Sequence, residues 1–418
     1  VNRNLFSLIP WIDVLQDRMN GVSLPPYREV NGHIHTPYSF SAFDNMEQVF
    51  RMAKEENISV LGINDFYVAD GYFSFFDGCL ANNLFPLFNI EFIGLLKEEQ
   101  EKGIRINDPN NPGRIYFSGK GLDYPFSPGW LNRWKLRRVK RESQKQVKVM
   151  ISKLNALMRE TSPSLLLSYK EIREKYAREL VRERHLARAV RYLAAESFSD
   201  PGQQIGFIES LYGGKKSKAG MANPAALENE IRSNLLKSGG PAFVEENNSS
   251  FLGMGKVIKI IIKAGGIPCY PVLLDDPSGK LTEYESNMEN LCTSLASMGV
   301  GCIELIPGRN DIDSLRDFVE FFNSKGFIIL FGTEHNTPEL APLTVSARGT
   351  TPLDERLKRI AWEGACVVAA HQYLRAHDRQ GYILGNGKPG MDQKNELAEL
   401  GELVIEYFIN RELYESEN

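Results

Sequence analysis

Long apolar runs are missing from this chain of 418 residues. No stretch approaches the roughly 18–20 uninterrupted apolar residues of a membrane span, so no spanning helix and no membrane partner are expected. The start, Val-Asn-Arg-Asn-Leu, has no apolar secretory core and reads as a trimmed or mature beginning. Cysteine is scarce and odd in number: Cys79, Cys269, Cys292, Cys302 and Cys366 are widely spaced and mostly lie in apolar runs. That pattern fits reduced core thiols in a cytoplasmic protein better than a disulfide framework or a thiolate metal site. Charge of one sign is also lacking, with 49 basic against 53 acidic residues and a formal net charge of −4. The balance argues against a dedicated nucleic-acid binder and is otherwise silent about substrate. Nucleotide fingerprints are absent too. Gly119-Lys120-Gly121 is not framed by Gly-x-x-x-x-Gly-Lys-Ser/Thr, and no Rossmann glycine pattern follows the first strand, so a nucleotide cofactor has no support.

The chain does have apolar segments whose period alternates. Hydrophobic residues make up 42% of it, and α/β barrels commonly stay one domain at about half to two-thirds of this length. Leu5, Leu8, Ile9, Ile12, Leu15 and Met19 predict a helix over 4–19 packed outside the main domain. Asp44 is placed to cap a helix to about 57, with Glu47 completing a capping box. A strand at 58–64, a helix at 70–83 and a strand at 85–92 continue the rhythm of βα units around a parallel sheet. It stops after Leu96, where 103–130 is rich in Gly, Pro, Asn and Asp with one strand near 114–118, and 135–195 reads as long helices. A Gly- and Lys-rich loop at 212–220, a helix near 224–237 and a turn-rich break at 238–250 complete an insertion.

Alternation then resumes with helix 254–264 and strand 267–272, followed by three helix–strand pairs: 284–298 with 300–306, 311–324 with 327–333, and 352–363 with 365–370. A last helix is expected over 391–413. Counting 114–118, eight strands are predicted. The first choice is a closed or distorted barrel and the second an open doubly wound sheet. The expected organisation is an N-terminal helical extension (1–27), a first barrel part (28–96), a mostly helical insertion carrying one barrel strand (97–250), and a second barrel part with the C-terminal helix (251–418).

In a barrel, functional groups collect where strands end. Val30-Asn31-Gly32-His33-Ile34-His35 closes an apolar run, and strand alternation sends both imidazoles to one side, close enough to share an ion. Asp65, Glu91, Tyr270, Glu304, Glu334 and His371 also follow strand-like runs. His33, His35, Glu91 and Glu334 would give two neutral and two anionic ligands, a set suited to zinc, manganese or iron.

These motifs resemble those of the polymerase-and-histidinol-phosphatase (PHP) domain family of metal-dependent phosphoesterases, over roughly 28–95 and 252–372. The resemblance implies a distorted seven-stranded (β/α)7 TIM-like barrel, here with a largely helical insertion, and a cluster of three metals. His33-Ile34-His35, with Thr36 and Ser39 after it, matches the family's opening motif, and Asn89-Ile90-Glu91 matches the strand that ends in a bridging glutamate. Elsewhere the pattern departs. Thr-Asp-His becomes Asn64-Asp65-Phe66, Ala-His-Pro becomes Cys269-Tyr270-Pro271, and Gly-Ser-Asp-x-His becomes Gly332-Thr333-Glu334-His335-Asn336, where His335 serves only by a one-residue shift. A later strand with a family histidine reads Ile115-Tyr116-Phe117. One retained divalent ion, rather than three, is the expectation.

Two functions follow. In the first, a metal-activated water hydrolyses a small phosphorylated molecule, with Asp65 or His371 as proton relay and Arg309 or Arg348 neutralising phosphoryl oxygens; an altered chemistry, a lyase or isomerase with one ion, would use Tyr270 as an acid. In the second, the barrel has lost turnover and remains as a ligand- or partner-binding protein. The basic run Arg133–Lys148, with Trp130 and Trp134 nearby, reads as the wet face of a helix before it reads as a nucleic-acid grip. The sequence leaves the oligomeric state open.

Overall fold

The computed structural model describes residues 4–415. The outermost three residues at each end, which belong to the expected 1–27 extension and 251–418 segment, lie outside the described residues. The strands are β1 (Glu29–Ile34), β2 (Ile58–Phe66), β3 (Phe85–Leu95), β4 (Arg114–Lys120), the two-residue β5 (Leu252–Gly253), β6 (Ile267–Val272), β7 (Cys302–Leu305), β8 (Ile328–Phe331) and a small hairpin, β9 (Ser346–Ala347) with β10 (Thr351–Pro352). The main sheet runs β1-β2-β3-β4-β6-β7-β8, with β5 attached to β3. Just past β8 the chain returns to β1: the amides of Thr333 and Glu334 donate to the His33 carbonyl at 3.2 and 2.9 Å, and the His35 amide donates to the Glu334 carbonyl at 2.6 Å. A nearly closed, distorted TIM-like barrel results.

Two features differ from a regular alternation. β4 is antiparallel to both β3 and β6. It is reached from β3 by a connection whose only helix is Lys97–Glu101, too short for the crossover that a parallel neighbour needs. The predicted helix 352–363 and strand 365–370 are instead one buried helix, Glu355–Ala376. Ala365-Cys366-Val367-Val368-Ala369-Ala370 is apolar on every side, which suits a helix covered all round as well as a buried strand. Its covering is close: a Cβ on Gly364 would lie 1.9 Å from the Ile329 carbonyl of β8, and one on Gly401 of helix Lys394–Ile409 would lie 1.8 Å from the Cys366 carbonyl.

Smaller corrections have local causes. The N-terminal helix is interrupted at Pro10 into a 3-10 turn, Leu5–Leu8, and helix Ile12–Arg18. The cap of helix Met46–Glu55 is Asn45, not Asp44. Its side chain accepts from the Gln48 amide at 2.9 Å, and Gln48 returns a bond to the Asp44 amide at 2.8 Å.

Among the described residues two hydrophobic cores are present. One fills and surrounds the barrel, and the other joins helices between residues 147 and 242. Helix Trp130–Thr161 serves both, placing Leu136 and Val139 on the barrel side and Val147 to Met158 in the second core. Its basic run is largely exposed, as a solvated helix face would be. No described helix is long and apolar enough to cross a membrane.

Candidate metal centre

β1 delivers His33 and His35 to the same side, with ring centroids 5.2 Å apart. Each ring has its Nδ1 fixed by a buried acceptor. His33 Nδ1 lies 2.9 Å from Glu304 Oε2, so it donates there. The Ser39 hydroxyl gives its proton to Asp65 Oδ1 at 2.6 Å and is left to accept from His35 Nδ1 at 3.1 Å. Both Nε2 atoms therefore carry lone pairs, and they face one another at 3.3 Å.

Two imidazoles bound tetrahedrally to one ion at about 2.0–2.1 Å would hold their nitrogens ~3.3–3.4 Å apart. Glu91, within β3 and level with the end of β2 through its pairing with Phe66, brings Oε2 to 3.6 Å from His35 Nε2. His33, His35 and Glu91 are all buried and offer ligand atoms within 4.8 Å of one another. Burial first, and then the charges of Glu334 and Glu304, hold the Glu91 carboxyl well above the usual carboxylate range. Burial, then His33, keeps the His35 imidazole neutral. A cation among these groups would relieve the two facing lone pairs and the crowded carboxylates together. The residues present thus fit one divalent ion.

A second polar layer supports the first. Glu304 of β7 accepts from His33, from the Ser118 hydroxyl of β4 at 2.5 Å, and from the ammonium of Lys120. Burial alone would raise its carboxyl. The Lys120 and His33 contacts outweigh burial and hold it well below the ordinary range. Asn64 of β2 has its amide nitrogen 2.9 Å from His33 Nε2, donating to the lone pair that a bound ion would take over, and 3.3 Å from Ser118 Oγ, while its buried Oδ1 has no partner among the described residues. Sequence reasoning noted Glu304 only as a strand-end acid and Lys120 only as part of a failed phosphate loop; it assigned neither a role.

The remaining expected residues are distributed differently. Glu334 faces the same cavity as Glu91, with its carboxylate paired to Arg309. His335 is turned away: its Nδ1 meets Thr333 Oγ1 and its Nε2 meets the Ala341 carbonyl, both at 2.8 Å, and its ring stacks on Phe43. Neither nitrogen is left for an ion. Tyr270 points out of the barrel to Glu285, at 2.6 Å, because its chain neighbours Cys269 and Pro271, paired in register with Ser118 and Glu304, take the inner face. Arg348 ties loops together through Asp275 and the backbone carbonyls of Asp275, Asp276 and Arg309. Asp65 accepts from the Thr36 amide, the Thr36 hydroxyl and Ser39, so it braces the His35 loop; burial pushes its carboxyl up to about 6.

His371 lies in helix Glu355–Ala376, not at a strand end. Its Nε2 donates to the Gly265 carbonyl at 2.6 Å, and its Nδ1 accepts from the Tyr382 amide at 3.0 Å. Gly265 stands just before β6, so this contact is at the barrel end opposite the metal cluster. Burial holds the ring down to about 4, against 6.5 when exposed. The unfolded chain therefore takes up the proton first. Stability from this group is intact above pH 6.5 and is lost as pH falls through about 4, by up to about 3 kcal/mol. Urea unfolding between pH 7 and pH 4 should show that decline, and His371→Gln should flatten it while lowering stability at pH 7.

A cavity of about 1040 Å³ opens above the cluster, with His35, Phe66, Glu91, Glu334 and Arg309 on the barrel side. The insertion closes it. Arg182 and Arg184, at the start of helix Glu183–Ser197, line the opposite wall, and Arg182 stacks over the Phe66 ring at 3.6 Å. Neither arginine has a carboxylate ion-pair partner among the described residues. Burial, then the charge of Arg232, lowers the Arg184 guanidinium to about 10. Its cost is only partly met by a 3.0 Å bond to Asn229 Oδ1.

No family model and no curated protein matches the chain. Among solved structures it is similar to an amidohydrolase from Chromobacterium violaceum, determined with bound sulfate and no metal, at TM-score 0.51 and 14% identity over 80% of this chain and 96% of that one. It is also similar to a protein from Bifidobacterium adolescentis assigned as a metal-dependent phosphoesterase, at TM-score 0.51 and 11% identity over 81% of this chain and 96% of the other. At these identities the likeness concerns fold. Strand order and matches together define a distorted (β/α) TIM-like barrel with a helical insertion.

Proposed function

We propose that this chain is a metal-dependent phosphoester hydrolase of PHP type that works with one divalent ion, zinc, manganese or iron, on a small phosphorylated molecule. The observation that carries the reading is the pair of buried Nε2 lone pairs facing each other at 3.3 Å beside Glu91, on the floor of a cavity whose mixed basic and acidic lining includes Arg182, Arg184 and Arg309. When bound, the ion would polarise a phosphoryl oxygen and lower the pKa of a water. Three protein ligands and an open side are the arrangement of a catalytic rather than a structural site. Glu304 and Ser39 hold the two imidazoles in the tautomer that presents Nε2. Glu334, at the cavity wall and held by Arg309, is the carboxylate placed to take a proton from the attacking water. Arg182, Arg184 and Arg309 would neutralise phosphoryl oxygens and draw the anion into the cavity. Asp65 and His371 have their hydrogen-bonding atoms committed elsewhere, which favours structural duties for both.

The test is turnover of p-nitrophenyl phosphate and bis-p-nitrophenyl phosphate by protein loaded with each metal in turn. Activity with at least one metal, abolished by a chelator, is expected. In the active form Arg182→Ala should raise KM about 10- to 100-fold, with a smaller change in kcat, as loss of one charge-assisted hydrogen bond would. No hydrolysis of either ester with any metal would overturn the proposal and leave the ligand-binding alternative.

A further inference from the structure

Beneath the histidine pair lies a second convergence of donors that the proposed reaction does not use. The Glu304 carboxylate, the Ser118 hydroxyl, the Asn64 amide and the edge of His33 meet in one layer, drawn from β7, β4, β2 and β1. Of these groups the Glu304 carboxylate and the Ser118 hydroxyl offer oxygens of the kind a hard or borderline cation binds, and Asn64 would offer its partnerless Oδ1 once its amide turned over, whereas His33 presents only an N–H to this layer. The cation present is the ammonium of Lys120. Its side chain is fully buried, and its register partner is Ile267, one inward step below the Ser118–Cys269 pair. The lysine stem therefore rises along the barrel interior from the end opposite the cavity and meets Glu304 from below.

A buried lysine–glutamate pair is a poor device for stability alone, since two well-packed neutral side chains usually do as well or better. Its charge has a local use here. Glu304 sets the tautomer of His33, and to do so it must remain an anion at the centre of the barrel. A divalent ion or an ammonium can satisfy that anion, but only the ammonium is fixed by the chain and leaves no open coordination position.

On the reading of a metal held by His33, His35 and Glu91, we infer that Lys120 is a built-in cation occupying a second, latent metal position at Glu304, Ser118 and Asn64, so that the chain holds one ion where this barrel has donors for two. Lys120 acts through Glu304 and His33; it is a positioning residue.

Metal analysis after equilibration with manganese tests this on wild type, Lys120→Ala, Lys120→Gln and Lys120→Ala/Glu304→Gln, each checked for folding by circular dichroism. About one equivalent is expected in wild type, about two in either single variant and about one again in the double variant. The manganese spin-resonance spectrum should change from that of an isolated ion to that of a coupled pair in the single variants, since paired catalytic ions stand about 3.5–4 Å apart. Lys120→Gln retains most of the buried volume if the alanine cavity is not tolerated. Wild type holding one ion while neither single variant gains a second, whether folded or not, overturns the inference. Wild type holding none overturns the metal reading itself.

Discussion

A His33→Ala/His35→Ala variant is expected to purify without metal, where the wild type holds about one equivalent, and to show no hydrolysis above the uncatalysed rate. The size of the effect follows from ligand count. Apparent binding free energies of about 10–16 kcal/mol for four-ligand zinc sites put each ligand at about 2.5–4 kcal/mol, so removing two costs roughly 10⁴- to 10⁶-fold in affinity. A thermal readout separates ligand loss from misfolding. An ion at about 100 times its Kd stabilises the wild type by ~2.7 kcal/mol, and it should leave the melting temperature of the variant unmoved. Glu91→Gln should show the same pattern in milder form, keeping shape while removing the anion. If wild type and double variant take up equal amounts of metal, the ion is elsewhere and the centre described above is not a metal site.

That centre was partly legible in the sequence because strand alternation is a strict constraint. His33 and His35 are two apart at a strand end, and Glu91 follows the apolar run Leu84–Ile90, so parity brings them to one side and the pairing of Glu91 with Phe66 at the end of β2 brings them to one mouth. Parity also explains two errors. β6 was anticipated, but a spacing rule cannot say which of Cys269, Tyr270 and Pro271 points inward until register is known. Pairing with Ser118 and Glu304 puts Tyr270 outside. Lys120 was hidden for a related reason: a lysine two positions after a strand serine looks exposed unless that strand is antiparallel and central, which no local pattern announced. Arg182 and Arg184 belong to a helix far along the chain from the motif they cover, and nothing in their neighbours marks them as cavity residues. Ala365–Ala370 illustrates a different limit. An all-apolar run has no period, and only its helix-favouring alanines and its continuation to Ala376 argue for the helix that forms.

That helix carries the largest stability effect expected in the molecule. Gly364→Ala would place a methyl 1.9 Å from the Ile329 carbonyl, with the Ile329 carbonyl carbon at 2.9 Å. The obstacle is strand backbone rather than the end of a flexible side chain, so helix Glu355–Ala376 or β8 must move. The opposite face of the helix offers no slack, because Cys366 is already against Gly401. Overpacking in a fixed core costs about 1–3 kcal/mol, and a clash with backbone on one side and no room on the other belongs at or above the top of that range. The consequence should reach the candidate site. β8 leads directly into Thr333 and Glu334, whose amides hold the His33 carbonyl and close the barrel, so displaced β8 backbone strains the seam from which both histidines project. Gly364→Ala is therefore expected to lose about 3 kcal/mol or more in urea unfolding and to bind its ion more weakly, although the substituted position contributes no ligand. Gly364→Ala protein with wild-type stability would show that the helix can slide on β8. Lost stability with unchanged metal affinity would show that the seam at His33 is insulated from the strand that leads into it.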